Sequence, residues 1–283
     1  MEYRIVPSDE VKSAVKSLLL RCNFCIPEDV RDALAAAKKL ETSSLAIDVL
    51  DQLLENNRIA QQEQISICQD AGMAVLFVEY GDRVVISGES FSEALENGVR
   101  EAYIEGYLRK SVVSDPVFNR SNTNDNTPAI VHTEIVPGTS LRITAGCKGF
   151  GSENMSKIEM LSPADGIEGI KKFVIDTVRK AGPNPCPPII VGVGIGGTFE
   201  KAALLSKKAT FRAVGTSHSE NQYAALEKEL LKKINRLGIG PAGLCGKTTA
   251  LCVNVETFPT HIAGLPVAVN ICCHAARHHQ IVI

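Results

Sequence analysis

Three of the nine cysteines stand where a sulfur atom could be displayed for chemistry. Cys68 is followed by a polar turn, 69–72, Cys186 lies in a proline-rich loop, and Cys273 ends an apolar stretch. Functional groups are often displayed where helices and strands end. Thiolates in such places can bind a soft metal ion or an iron–sulfur cluster. Because buried thiols are also common as small core residues, spacing alone leaves both interpretations open.

Several other patterns imitate known motifs but lack a required part. Cys22 and Cys25 have no second cysteine pair at zinc-like spacing, which favours a structural role. The run Gly246–Thr249 imitates a phosphate-binding loop, but the glycine that this loop needs five positions earlier is replaced by proline. His274 and His278 are spaced like a helical zinc pair, yet no glutamate follows the first histidine to act as a base.

A glycine-rich turn at 192–197 follows an apolar stretch and precedes a predicted helix. Glycines in that context let the backbone approach a pyrophosphate at a helix N-terminus. The spacing departs from the dinucleotide-binding pattern Gly-x-Gly-x-x-Gly. A nucleotide-binding module built on this turn is therefore one alternative function, and an inactive scaffold with cysteines in its core is another.

The elements that must position these residues are helices first and mixed structure afterwards. Apolar residues at helical spacing, such as Val11, Val15 and Leu18, predict helices in the first sixty residues. The apolar runs 74–80 and 83–87 then favour a hairpin around a Gly-Asp turn. Further helices are predicted at 30–40, 90–108, 163–181, 199–207 and 220–237, and further strands at 130–136, 140–145, 188–193, 248–256 and 266–273.

These elements predict an α/β fold of mixed α+β type. We expect one domain, 1–283, in which an N-terminal helical lobe, about 1–64, packs on a mixed α/β body, about 65–283. Any cluster site is expected between these two lobes.

Bulk composition excludes several classes of function. The net charge is −2 and the pI is about 6.3, so no basic field exists to bind nucleic acid or a membrane surface. No apolar stretch is long enough to span a bilayer, and no signal peptide is recognisable. The number of cysteines is odd, and disulfides are rare in reducing compartments. We therefore expect a cytoplasmic protein that binds neither nucleic acid nor membrane.

Four runs of residues are more specific together than any single motif. They are Ile67–Gly72, Gly151–Ser156, Asn184–Pro188 with Gly192–Gly197, and Pro259–His261 followed by Cys273–His278. In this order they resemble the α subunit of the class I fumarase and tartrate dehydratase family, or equivalently the N-terminal domain of its single-chain members. The resemblance extends over nearly the whole chain.

The resemblance implies a [4Fe-4S] cluster held by only three cysteines. Matched motif by motif, these are Cys68, Cys186 and Cys273, which leaves one iron open to substrate. An open metal position acts as a Lewis acid on a hydroxyl or carboxylate oxygen. The first function that the resemblance implies is fumarate hydratase, which adds water to fumarate to give L-malate. L-tartrate dehydratase is the alternative, and the sequence does not separate the two.

The resemblance also implies which residues act on a small dicarboxylate. Asp70 matches a position with an acid–base role, and Gln69 and His261 match positions that contact substrate. General acid–base catalysis requires such a group within reach of the proton that moves. We take Asp70 and His261 as the catalytic candidates and Gln69 as a substrate-binding candidate.

Three further residues are candidates for binding the substrate. Arg109 could clamp a carboxylate, because arginine can bind a carboxylate through two parallel hydrogen bonds. Gly149 and Gly151 belong to a glycine-rich turn that could lie against the substrate.

The resemblance finally implies a partner. In the full enzyme a second, smaller domain supplies further catalytic groups, and this chain ends soon after Cys273. We therefore expect a separate β subunit, which full activity requires, in an α2β2-like assembly. Alone, the chain is expected to hold the cluster and to be poorly active or inactive.

Overall fold

The computed structural model describes residues 3–283 and shows a mixed α/β fold, which confirms the predicted fold class. The strands are β1 (Arg4–Pro7), β2 (Met73–Gly81), β3 (Val84–Ser87), β4 (Ile130–Val136), β5 (Leu141–Lys148), β6 (Lys157–Leu161), β7 (Ile189–Gly196), β8 (Ala250–Phe258), β9 (Leu265–Cys272) and β10 (His278–Val282). The helices are α1 (Ser8–Phe24), α2 (Glu28–Leu40), α3 (Ser44–Glu63), α4 (Phe91–Glu105), α5 (Phe150–Glu153), α6 (Gly166–Ala181), α7 (Phe199–Ala209) and α8 (Asn221–Asn235). No helix within 3–283 has both the length and the apolar character that crossing a membrane requires.

The chain folds as two compact units. The first contains the chain up to Pro27, Asn56–Phe150 and Arg277–Ile283, and the second contains Glu28–Glu55 and Gly151–Ala276. This division differs from the predicted lobe, 1–64, and body, 65–283. Residues 1 and 2 of the predicted lobe lie outside the described part. The predicted lobe is divided because α1 packs on strands of the first unit, whereas α2 packs on β8 of the second.

The first unit is built on a four-stranded sheet in the order β10–β5–β2–β4. Strand β5 runs antiparallel to both of its neighbours, and β4 runs parallel to β2. Helix α1 packs on β5 and on α4, with Val11, Val15 and Leu18 on its buried face, as their spacing predicts. Gly98 permits close packing of α4 on α1, because a Cβ there would lie 2.7 Å from the carbonyl oxygen of Lys12.

The predicted hairpin of 74–80 with 83–87 is wrong, although both strands exist. Strand β3 pairs in parallel with β1, whereas β2 pairs with β4 and β5. The turn that joins β2 to β3 binds the turn between β4 and β5 instead. The N–H of Gly81 donates to the carbonyl oxygen of Ser140 at 3.0 Å. Local pattern identifies the strands but not these distant partners.

The second unit is built on a four-stranded sheet in the order β6–β9–β7–β8. Every residue of β7 is buried, and alternate residues face opposite sides. Val191 and Val193 pack in one core with α6 and α8. Gly192 and Gly194 lie against α7, where a Cβ at either position would stand 2.1 Å from a carbonyl oxygen of the helix. The turn predicted at 192–197 is therefore wrong for 192–196, which belong to β7, and close helix packing accounts for two of its glycines.

Candidate active site

The Asp70 carboxylate is held by two backbone N–H groups of the first unit. Gly72 donates to Oδ1 at 3.0 Å, and Phe150 donates to Oδ2 at 2.9 Å. Gly72 has a φ of +74°, and a Cβ there would lie 2.8 Å from the carbonyl carbon of Lys148. Both the dihedral angle and the space require glycine. Asp70 is thus fixed, half-buried, in a tight turn.

Cys68 lies two residues before Asp70, just ahead of this turn, and is half-buried. Its Sγ lies 3.6 Å from Oε1 of Gln69, whose side chain is exposed. The hydroxyl of Ser66 donates to the carbonyl oxygen of Cys68 at 2.7 Å, which fixes the approach to the turn. Cys68, Gln69 and Asp70, which are consecutive in the sequence, thus lie in or directly before this tight turn.

A cavity of about 500 Å³ lies against this turn and is lined entirely by the first unit. Asp70, Arg109, Arg120 and Phe150 are among its lining residues. Both arginines are exposed, so their guanidinium groups are accessible to a dissolved anion. The cavity thus combines one fixed carboxylate with two cations, which suits a negatively charged substrate that exchanges a proton.

Arg120 was missed by the sequence analysis and lies in an ordered loop, 114–121. The loop is closed by the N–H of Ser114, which donates to the carbonyl oxygen of Ser121 at 2.8 Å. Asp115 stabilises it from within by accepting N–H bonds from three following residues, led by Val117, and these bonds hold the pKa of its carboxyl below the usual range. An aspartate before a proline signals such a turn in the sequence, but nothing there connects its arginine with Asp70.

The two candidate glycines have different surroundings. A Cβ on Gly149 would lie 3.2 Å from Oδ2 of Asp70 and 3.5 Å from Nη2 of Arg277. Glycine therefore keeps the space beside the Asp70 carboxylate open. Gly151 belongs to the second unit, where the nearest atom to an added Cβ would be the carbonyl oxygen of Asn184 at 3.8 Å. The structure gives a steric reason for glycine at position 149 and none at 151.

Cys186 and Cys273 stand on neighbouring loops of the second unit. The N–H of His274 donates to the carbonyl oxygen of Cys186 at 3.3 Å. Cys186 is exposed with a φ of +54°, and Cys273 is half-buried just beyond β9, whereas Cys272 is buried inside that strand. Of the adjacent pair, Cys273 is therefore the more accessible thiol. Considering 3–283 only, no three His, Cys, Asp or Glu side chains form a metal-binding group, and Cys68 belongs to the first unit.

His261 lies in an exposed loop of the second unit. Its Nδ1 accepts a hydrogen bond from the N–H of Ala263 at 3.2 Å, so Nε2 is the ring nitrogen that can donate to another group. The preceding residue, Thr260, donates its hydroxyl to the carbonyl oxygen of Gly197 at 2.9 Å. This bond fixes the His261 loop beside Gly197, the residue that follows β7.

The imitation motifs have structural explanations. The N–H groups of Lys247 and Thr248 each donate to the Glu41 carboxylate at 2.8 Å, so the protein's own anion occupies the phosphate-like loop. Residues 274–278 form no helix, so their two histidines share no helical face. Cys22 is buried, and its Sγ lies 3.4 Å from the carbonyl oxygen of Ala145. The structure thus supports a structural role for the phosphate-like loop and for Cys22, and it gives the two histidines no helical zinc pair.

Comparison with known proteins shows similarity along nearly the whole chain. A family model described as fumarate hydratase (fumerase) matches residues 12–282. The putative L(+)-tartrate dehydratase subunit alpha of Methanocaldococcus jannaschii is 43% identical over 272 residues, which is 95% of either chain. The L(+)-tartrate dehydratase subunit alpha of Escherichia coli O157:H7 is 36% identical over 262 residues, 91% of this chain and 86% of the relative. That of strain K12 is 34% identical over 260 residues with the same coverage.

Proposed function

Because this chain belongs to the fumarate hydratase family, as the α subunit of a hydro-lyase, we propose that it dehydrates a 2-hydroxy diacid, and within that class L-tartrate. The relatives reported above carry the name L(+)-tartrate dehydratase, which supports tartrate, the alternative of the sequence analysis, over fumarate. Fumarate remains the second candidate because the matching family model is described as fumarate hydratase. Loss of water from tartrate gives an enol that rearranges to oxaloacetate.

The observation that carries this proposal is the cavity that joins Asp70 to two arginines. Elimination of water from a diacid requires a base for a carbon-bound proton and cations for the carboxylates. An ionised carboxylate has about four lone-pair sites, and the two N–H groups use two of those of Asp70. Asp70 therefore retains capacity to accept the substrate's proton while its geometry is fixed.

We assign the remaining roles from position and charge. Arg109 and Arg120 bind substrate carboxylates, since both line the cavity. Gly149 keeps the space beside the Asp70 carboxylate free of a side chain. Gln69 contributes an exposed amide next to Asp70, and His261 contributes its Nε2–H as a donor to substrate oxygen.

We further assign Cys68, Cys186 and Cys273 as the ligands of a [4Fe-4S] cluster. The donor set supports this, because all three thiols are exposed or half-buried, and two of them lie on loops joined by a hydrogen bond. Cysteine thiolates are the usual ligands of such clusters. When bound, the cluster supplies a Lewis-acidic iron for the oxygen atoms of the substrate.

A β subunit completes the enzyme in this proposal. The relatives are named as alpha subunits, which supports a second kind of chain. We propose an α2β2-like assembly in which the β subunit supplies groups that residues 3–283 do not. The chain purified without its partner should therefore show little activity.

The test is an anaerobic assay of the chain co-expressed with its β subunit. L-, D- and meso-tartrate and fumarate are offered separately, and oxaloacetate or malate is measured. We expect oxaloacetate from L-tartrate, at a kcat/KM above that for malate formation from fumarate. A higher kcat/KM for fumarate would reverse the substrate assignment. If a preparation with full iron and sulfide content acted on none of the four, the proposed function would be wrong.

A further inference from the structure

The three consecutive carbonyl groups of the turn 70–72 all accept hydrogen bonds from side chains outside it. No side chain of the turn itself provides these bonds. The donor–acceptor pairs are Arg277 Nη1 to Asp70 O at 2.8 Å, Tyr103 hydroxyl to Ala71 O at 2.9 Å and to Gly72 O at 3.0 Å, and Asn126 Nδ2 to Gly72 O at 3.1 Å.

These donors come from three distant segments of the first unit. Tyr103 lies in α4, Asn126 precedes β4, and Arg277 precedes β10. Tyr103 and Asn126 are 0% exposed, and Arg277 is 3% exposed. Buried carbonyl groups need hydrogen-bond partners, because burial removes them from water. The turn is therefore held in place by the folded core.

Tyr103 is the central donor of this group. Burial raises the pKa of its phenol well above the usual value, so the hydroxyl keeps its hydrogen and donates. That hydrogen is shared between the carbonyl groups of Ala71 and Gly72. Arg277 is fixed in turn by Oδ1 of Asn23, which lies 3.3 Å from its Nη1.

The held turn controls the position of the Asp70 carboxylate. Gly72 donates its N–H to Oδ1 of Asp70, while its carbonyl oxygen accepts from Tyr103 and Asn126. One residue therefore connects the carboxylate with two buried donors. If those donors were lost, the N–H group that orients the carboxylate would be free to move.

We propose that Tyr103, supported by Asn126 and Arg277, is a positioning residue that fixes Asp70 for proton transfer. The proposal rests on the function proposed above, in which Asp70 accepts the substrate's proton. Tyr103 reaches Asp70 through the turn, so this contribution to the rate requires the carboxylate of Asp70.

A double-mutant cycle tests this dependence. Tyr103→Phe removes one hydroxyl and keeps the ring in the core. Misplacing a reacting group by about an ångström costs ~10²-fold in rate, so we expect kcat for L-tartrate to fall ~10–100-fold at unchanged cluster content. In an Asp70→Asn background, the same change should alter kcat by less than about twofold, because the interaction no longer exists. If the double variant lost kcat by the product of the two single-variant losses, the two residues would act independently and the proposal would be overturned.

Tyr80→Phe is the matched control. Tyr80 lies in the same unit, and its hydroxyl donates to the carbonyl oxygen of Val84 at 3.2 Å, away from the turn. It should leave kcat unchanged and lower thermal stability less than Tyr103→Phe, because Tyr80 is only half-buried and donates to a single carbonyl group. An equal loss of kcat in both variants would mean that Tyr103 contributes only to stability.

Amide hydrogen exchange tests the inference independently of activity. In the α–β complex, the N–H groups of Gly72 and Phe150 should exchange at least ~10-fold faster in Tyr103→Phe than in the wild type. Their exchange rates in Tyr80→Phe should equal those of the wild type. Unchanged exchange in Tyr103→Phe would overturn the positioning role whatever the substrate is. If the wild-type enzyme acted on no diacid but exchange were still faster in Tyr103→Phe, only the proposed function would be contradicted.

Discussion

Replacing Asp70 by asparagine should separate proton transfer from structure. Both carboxylate oxygens accept backbone N–H groups, at 3.0 and 2.9 Å. Asparagine has one oxygen, so one of these N–H groups loses its acceptor and meets an amide NH2 group. A net hydrogen bond contributes about 1 kcal/mol, and for a chain near this size that corresponds to a melting temperature lower by ~2–4 °C. The variant should therefore fold and retain its cluster.

The effect on the rate should be far larger than the effect on stability. General acid–base catalysis typically contributes about 10²–10⁴-fold. Asp70→Asn, assembled with the β subunit, should lose kcat for L-tartrate in that range, while KM stays near the wild-type value. The assay combines anaerobic steady-state kinetics with iron and sulfide analysis and a melting curve.

Asp82→Asn provides the control for a carboxylate elsewhere in the first unit. Oδ1 of Asp82 accepts the N–H of Gly138 at 2.8 Å, and an asparagine oxygen can replace it there. This variant should keep its kcat. If Asp70→Asn retained a near-wild-type kcat with full cluster content, Asp70 would only cap its turn, and another group would move the proton.

Three further outcomes are expected. Cys186→Ser should lose iron and sulfide in anaerobic preparations, whereas Cys25→Ser should retain both; full iron in the former would contradict the ligand assignment. Arg120→Gln should raise KM for L-tartrate by about 10-fold or more and change kcat less, because a hydrogen bond to a charged group is lost. Arg83→Gln is the control and should leave KM unchanged. If KM were also unchanged in Arg120→Gln, Arg120 would not bind the substrate. Burial raises the pKa of the Cys252 thiol to about 12, so the folded state favours the neutral thiol. Below the ordinary thiol pKa of ~8.5, the thiol is neutral in both the folded and the unfolded state, and stability is intact. Between that pH and about pH 12 only the unfolded state ionises, so the free energy of unfolding falls by ~1.4 kcal/mol per pH unit. Urea unfolding of Cys252→Ala should show a shallower alkaline loss, and an unchanged slope would contradict this.

Periodicity predicted the elements of this fold better than their partners. The helical spacing of Val11 and Val15 matches the buried face of α1, and the apolar run 188–193 lies largely within the buried strand β7. The pairing of β3 with β1 was not predictable, because a strand's alternation specifies its faces and not its neighbours. The same limit explains why α1 and α2, adjacent in sequence, belong to different units.

The candidate site shows a similar limit. The run from Cys68 to Asp70 was visible because its residue types and spacing resemble those of a known family. Arg120 and Tyr103 were not visible, because their relation to Asp70 depends on a loop and a helix that return to the turn from a distance. Family motifs therefore indicate candidate residues for the chemistry more readily than the residues that hold them in place.

The origin of the bonds around Asp70 leads to a last expectation. The two N–H donors to its carboxylate and the three side chains that hold its turn all belong to the first unit. Protein groups alone therefore account for the geometry of the turn, so it should be ordered before any cluster is bound. Amide exchange of Gly72 and Phe150, measured on the chain purified with a chelator, should match that of the reconstituted protein within about threefold, since protection reports local opening. Exchange that is fast in the metal-free chain and slow after reconstitution would show that cluster binding, and not the core of the first unit, places Asp70.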